Sequence, residues 1–263
     1  MDIGTAKPNI DQLSQVPHHF INHLHIHDEY SAGAFENEAI SFLKGIFSQH
    51  QSAVLVGGSG LFIKAVVEGF DSFPPAHENV FDEMKKMFYE MGIEPLQKLL
   101  LEYDPVYYKI VDLNNPQRLI RALTVSISSG KPYSSFRNQK PKQRDFIPLK
   151  IGLKVEKEEL HRRIDERVNQ MMKDRLLEET KKLFPFRHLN ALQTVGYVEL
   201  FDFLEGKISL DQAIKQIKMN TRHYAKRQMT WFKKETDMNW FSPDQLNEII
   251  PFIENKMSLL SNP

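Results

Sequence analysis

The stretch SAVLVGGSGLFIKAVVEGF, residues 52–70, decides the fold. Ala53 to Val56 form a short apolar run that ends in two glycines. A run of that length, closed by turn residues, reads as a buried strand. From Ser59 onward the apolar residues keep helical spacing, so the segment reads as strand, tight turn and helix. Upstream, Ser31 caps a helical pattern over residues 31–50, with Phe35, Ala39, Phe42, Leu43 and Ile46 in helical register. Helix, buried strand, helix is the α/β pattern.

The turn itself, GGSG at residues 57–60, carries a weak chemical signal. Glycines there let backbone amides approach a ligand, often an anion at the next helix N-terminus. They equally serve a tight turn that binds nothing. A Walker A loop is excluded because the GK[ST] ending is absent. A nucleophile elbow is excluded because Leu61 stands where G-x-S-x-G requires glycine.

Outward from this segment, the character of the sequence changes at DSFPPAHENV, residues 71–80, where Pro74 and Pro75 mark a boundary. Residues 77–129 read as helical throughout, with YDP and NNP punctuating the turns. A polar, basic stretch over 130–145 then leads into FIPLKIGLKV, residues 146–155, which reads as a strand. Three parts are expected: α/β core over 1–73, a helical insertion over 74–146, and the rest of the core with C-terminal helices over 147–263. The charged stretch 157–184 and the last third read as helices.

Composition narrows the function classes. The chain has 263 residues, 34 Lys and Arg against 34 Asp and Glu, and no cysteine. Disulfides, thiolate metal sites and a cysteine nucleophile are excluded. No apolar run approaches the ~18 residues of a membrane span, and the polar start lacks the core of a signal peptide. A soluble cytoplasmic protein is expected. Zero net charge argues against a protein that coats nucleic acid, while a local basic face remains allowed.

Such a face lies at residues 218–234, which hold Lys218, Arg222, Lys226, Arg227, Lys233 and Lys234 without a single acid. On a wheel of about 100° per residue, Lys218, Arg222, Lys226 and Lys233 fall within about 80° of one another. Ile214, Ile217, Tyr224, Ala225, Trp231 and Phe232 fall on a separate arc, which is expected to pack on the core. Surface helices normally mix Glu with Lys. The missing acids therefore favour a polyanion, bound through charge and counterion release. Aromatics that reach the surface could stack on splayed bases.

His23, His25 and His27 would share one side of an extended strand, a geometry zinc accepts. The segment is loop-like, and no carboxylate of matching geometry is evident apart from Asp28, so no metal site is assigned.

Seven stretches together resemble one family, the tRNA dimethylallyltransferases, also called tRNA isopentenyltransferases. They are MDIGTAKP (1–8), YSAGAF (30–35), LVGGSGLFIKAVVEG (55–69), NPQRLIRAL (115–123), RRIDERVNQM (162–171), TVGYVEL (194–200) and TRHYAKRQMTWFK (221–233), and they run in the family's order. The resemblance implies a nucleotide-binding, P-loop NTPase-like parallel sheet core with a helical insertion domain. It implies transfer of a dimethylallyl group from dimethylallyl diphosphate, with Mg²⁺, to N6 of the adenosine 3′-adjacent to the anticodon. The implied partners are a tRNA anticodon stem-loop and dimethylallyl diphosphate, with no membrane, and the protein is expected to be a monomer. By the same resemblance, Ser59 lines the channel beside the reacting amine and Arg167 lies near the donor diphosphate. The competing reading for Arg167 is an ion pair with Glu166 or a neighbouring acid. Three stretches match tRNA-contacting segments: Gln117, Arg118, Leu119, Ile120 and Arg121; then Leu192, Gln193, Thr194, Val195, Gly196 and Tyr197; then Lys226, Arg227, Gln228, Met229, Thr230, Trp231, Phe232 and Lys233.

The sequence also departs from the family's pattern. The family begins with a strand, a Walker A loop and an Asp-Ser segment upstream of MDIGTAKP, and no GxxxxGK[ST] occurs in this chain. The N-terminal part of the core is therefore expected to be missing, and the chain as given to be catalytically crippled. A start assigned at an internal methionine is the simplest expectation. Phe81 stands where the family usually has an arginine that touches tRNA, and Arg175 where a glycine is common. Two further readings stand beside the enzyme: a catalytically inactive tRNA-binding fragment, and an adenylate isopentenyltransferase acting on free nucleotide. A mononucleotide needs no long cationic face, so steep salt dependence of binding separates the last from a stem-loop reader.

Overall fold

The computed structural model describes residues 1–5, 7–137 and 141–261. Ala6 of MDIGTAKP, residues 138–140 of the polar stretch and the last two residues of the third expected part lie outside the described residues. The chain forms two compact units, Met1–Ile63 with Phe146–Pro263, and Lys64–Asp145.

The first unit opens with α1 (Ile10–Gln15) and α2 (Ala32–Phe47), and α3 (Gly60–Val67) carries the chain into the second unit. That unit is built from α4 (Glu78–Met91), α5 (Glu94–Tyr103), α6 (Pro105–Tyr108) and α7 (Pro116–Ser129). The first unit resumes with β1 (Ile151–Leu153), α8 (Lys157–Lys173), α9 (Leu176–Leu183), α10 (Val198–Leu204), α11 (Leu210–Phe232), β2 (Asn239–Phe241) and α12 (Leu246–Ser261).

Local chemistry sets the helix ends. The Ser31 hydroxyl accepts the Ala34 amide at the start of α2. In the second unit Asn115 caps α7 by accepting the Arg118 amide, with Pro116 in the first turn where its missing N–H costs nothing. Asp104, fully buried, accepts the Tyr107 amide and so caps α6. Its carboxylate also accepts the Ser134 amide and hydroxyl at 2.6 and 2.8 Å, which ties the segment after α7 back to α6. Met84, Leu96, Leu100, Leu119 and Leu123 fill the core between these helices.

In the first unit β1 and β2 pair in parallel, Ile151 opposite Asn239 and Leu153 opposite Phe241. The connection runs through helices, as a parallel pairing requires. Ile164, Val168, Leu176, Leu200, Phe201, Ala213 and Ile217 make the core that packs α8, α9, α10 and α11 together. The fold is helix-rich with a small parallel sheet, the α/β class expected.

One local expectation is corrected. The run 52–57 forms no strand among the described residues, with Val54 88% and Val56 87% exposed. A strand exists only through hydrogen bonds to a neighbour, and β1 and β2 pair with each other, not with this run. The apolar pattern suited to a doubly covered parallel sheet therefore stands in solvent. Arg175, between α8 and α9, adopts φ +72° and ψ +39°. The turn keeps the left-handed geometry that favours glycine although an arginine occupies it.

Candidate nucleic-acid interface

The basic segment is the second half of α11. Ser209 and Gln212 form a reciprocal capping box that starts this helix, and Ala213 and Ile217 bury its first half. Beyond Ile217 the apolar register thins and the helix emerges into solvent. Lys226, Arg227, Thr230, Trp231, Lys233 and Lys234 are exposed, and Met229 and Phe232 are half-buried. Lys226, Arg227, Lys233 and Lys234 form no ion pair among the described residues.

The expected stripe is narrower than the wheel implies. Arg222 turns to Asp165 of α8, with Nη2 2.6 Å from the carboxylate, and so joins a pair inside the unit. The expected apolar arc is also corrected. Tyr224 and Trp231 are 44% and 39% exposed, although the Trp231 indole also touches the GGSG turn. The Arg227 guanidinium lies 5.7 Å from the Tyr224 ring centre, so cation and aromatic share one surface.

This helix grips the GGSG turn. Gln228, expected to contact tRNA, is half-buried and instead donates from Nε2 to the Gly58 carbonyl at 2.8 Å. A Cβ on Gly58 would overlap the Gln228 amide, and one on Gly60 would overlap the Trp231 indole. The two glycines thus permit close approach of α11 side chains, a use the bare motif did not reveal. Ser59 sits exposed between them, and its carbonyl accepts the Phe62 and Ile63 amides at 3.0 and 3.1 Å, which starts α3.

The TVGY turn is tied to the same helix. Buried Glu199 accepts the Gly196 amide at 2.8 Å and the Asn220 side-chain amide of α11 at 2.7 Å. Gln193 and Thr194 are exposed and Val195 is half-buried, but Leu192, Gly196 and Tyr197 are buried. Leu192 and Tyr197 belong to the core cluster of this unit, so their expected tRNA contact is corrected to packing. On α7 the same correction applies to Leu119 and Ile120, which lie in the core of the second unit. Gln117, Arg118 and Arg121 of α7 are exposed, with the Arg121 guanidinium 5.7 Å from the Phe73 ring centre.

Glu179 is a site residue that sequence reading missed. Its carboxylate accepts the Tyr197 hydroxyl at 2.5 Å and the amides of Asp2, Ile3 and Gly4 at 2.8, 3.1 and 3.2 Å. Burial alone would raise its pKa, but the hydroxyl and the three amides outweigh that and hold it below the ordinary value. Burial first, and then this carboxylate, push the Tyr197 phenol well above its usual range. Only the acidic pair in LLEE marks the position, and nothing in that pair signals an N-terminal clamp.

Arg167 donates from Nη2 to the Thr5 carbonyl at 3.0 Å. Among the described residues Arg167 makes no ion pair with Glu166, which pairs with Arg162 at 2.6 Å, or with a neighbouring acid. Arg167 lines an open concavity of about 750 Å³ with Lys7, Gln12, His18, Gln170 and Asp174. No contact links it to the GGSG turn among the described residues.

Histidines of the opening loop pack as rings. His19 lies 4.1 Å from Phe42, His23 is edge-on to Phe20 and Tyr30, and His27 is edge-on to Phe186. Among the described residues no group of three His, Asp or Glu could hold a metal ion. No helix among the described residues is long and apolar enough to cross a membrane.

Comparison with known proteins fits this geometry. A family model described as IPP transferase matches residues 1–235. A protein of Christiangramia forsetii named tRNA dimethylallyltransferase is 49% identical over 259 residues, covering 98% of this chain and 86% of the relative. One of Bacteroides thetaiotaomicron, named tRNA dimethylallyltransferase 1, is 45% identical over 96% of this chain and 82% of its own length. The crystal structure of a tRNA isopentenylpyrophosphate transferase from Bacillus halodurans matches with a TM-score of 0.70 at 33% identity, over 99% of this chain and 85% of that one. A eukaryotic dimethylallyltransferase captured acting on tRNA matches with a TM-score of 0.82 over 99% of this chain and 69% of its own, and at 22% identity that likeness is one of fold alone.

Proposed function

The chain belongs to the IPP transferase family, and we propose that it moves a dimethylallyl group from dimethylallyl diphosphate to N6 of the adenosine 3′-adjacent to the anticodon of a tRNA. One observation carries the reading. The cationic end of α11, unpaired at Lys226, Arg227, Lys233 and Lys234, is hydrogen-bonded to the GGSG turn that presents Ser59. A polyanion held on this helix is therefore held beside that turn.

Each group in the reading has a physical task. The α11 cations bind backbone phosphates through charge and counterion release. Exposed Tyr224 and Trp231 offer faces on which unstacked bases rest. The acceptor adenine must leave its stack before its amine can react. Ser59 is proposed to line the place where that amine arrives, and Arg167 with Lys7 to face the diphosphate from the concavity they share. Gln117, Arg118 and Arg121 of α7 are proposed as further RNA contacts. Mg²⁺ is proposed to accompany the diphosphate, as a companion of the ligand. Localisation in the cytoplasm and a monomeric state belong to the same reading.

The experiment is transfer of labelled dimethylallyl from its diphosphate, with Mg²⁺, to an unmodified anticodon stem-loop. The family reading predicts label on the stem-loop and none on free adenylate, whereas the expectation of a crippled chain, drawn from the lack of GxxxxGK[ST], predicts a bound stem-loop without label. A folded sample that binds the stem-loop without ever labelling it would reduce the chain to an RNA-binding module. Label on free adenylate in preference to the stem-loop would overturn the assignment.

A further inference from the structure

Gln228 lies within the cationic run of α11, yet its side chain is turned inward. It donates to the Gly58 carbonyl, the group immediately before Ser59. Three residues on, Trp231 occupies the space that a Cβ of Gly60 would need, immediately after Ser59. Both flanks of Ser59 are thus held by one turn of one helix. No other side-chain hydrogen bond reaches residues 57–60 among the described residues. Behind the turn, the Ser59 carbonyl accepts the first amides of α3, from Phe62 and Ile63. The Phe62 ring in turn packs 5.2 Å from Phe35 of α2.

We infer that Gln228 is a positioning residue: it transmits the seating of RNA on the exposed end of α11 to the Ser59 turn. The inference rests on the RNA-binding reading of α11 given above. The neighbours of Gln228, Lys226 and Arg227, point to solvent without ion pairs and take the phosphates. Tyr224 is exposed, and the last turns of α11 meet the GGSG turn through Gln228 and Trp231, so they open locally more easily than the buried first half of the helix. RNA phosphates neutralise Lys226, Arg227, Lys233 and Lys234 and order those turns. Gln228 and Trp231 are then fixed, and the turn around Ser59 is fixed with them. A phosphate-binding role for Gln228 would instead require its amide to face solvent beside the cations.

Amide hydrogen exchange at Phe62 and Ile63 reads the turn directly, because both amides bond to the Ser59 carbonyl. It is measured with and without an unmodified anticodon stem-loop, in the wild-type chain and in Gln228→Met, which keeps the side-chain length but cannot donate. In the wild type, RNA is expected to slow exchange at both amides about fivefold, the worth of one hydrogen bond. In Gln228→Met the RNA is expected to bind with the wild-type salt slope, because no phosphate contact is lost, while the slowing disappears. A residue that served only to stabilise the fold would change exchange equally with and without RNA. A reduced salt slope in Gln228→Met would make Gln228 a phosphate contact and overturn the inference. Slowing that persists in the variant would overturn it as well. Wild-type binding with no slowing sinks this inference alone, whereas no binding by the wild type sinks the reading of α11 on which it rests.

Discussion

Arg175 shows at the scale of one residue what a sequence pattern hides. The left-handed backbone at this position costs a side chain with a Cβ about 1–2 kcal/mol, and the exposed arginine side chain makes no hydrogen bond or ion pair among the described residues that offsets it. Arg175→Gly relieves that cost but also loosens the unfolded chain, so a net gain of about 0.5–1 kcal/mol is expected. Chemical denaturation checks it, and a midpoint that falls would show that the arginine supports the turn. Glu179 makes the opposite case. Its folded-state pKa lies below the ordinary 4.5, so its contribution is present above that pH and is lost as pH falls through the folded value. Wild-type stability should therefore drop as pH falls below 4.5, and Glu179→Gln should be less stable at neutral pH with a flatter acid limb. Acid titration of unfolding midpoints decides it, and identical acid limbs would contradict the clamp. Neither role was legible beforehand. Arg175 was marked only by its departure from a family pattern, and the three amides that Glu179 accepts lie more than 170 residues away along the chain.

Elements were legible where the chemistry that forms them is local. Ser31, Asp104 and Asn115 lie at helix starts that could be read from capping residues and prolines alone. The run 52–57 was misread because a strand depends on partners remote in sequence, and an apolar tetrapeptide does not show whether they are present. In the second unit, Asp104→Ala strips the Tyr107 and Ser134 amides of a buried acceptor. A loss of about 2–4 kcal/mol is expected in chemical unfolding, and a loss under about 0.5 kcal/mol would place it among neutral surface changes. On α11, Arg227→Ala should weaken stem-loop binding and lower the salt slope by about 1, with little change in folding midpoint, since Arg227 is exposed and meets only the Tyr224 ring. Unfolding several degrees earlier would make Arg227 structural instead. The basic run was legible as a polyanion surface from its missing acids. The removal of Arg222 into a pair with Asp165 was not, because that partner lies on a different helix.

For the whole molecule, charge is the property that connects fold to function. A chain with 34 basic and 34 acidic residues has no net charge to draw in a nucleic acid. Its affinity for RNA must come from where the cations are left unpaired. On α8, Arg162 and Arg163 are spent on Glu159 and Glu166; at the end of α11, Lys226, Arg227, Lys233 and Lys234 are not. The same contrast separates a surface helix from a binding helix, and composition alone could not draw it. The most direct measurement is the dissociation constant of an unmodified anticodon stem-loop as a function of salt. Four phosphate contacts on α11 predict a slope of about 3 in log Kd against log salt. A flat response would mean that these cations hold no phosphates, and the account of α11 as the RNA-binding element would fall.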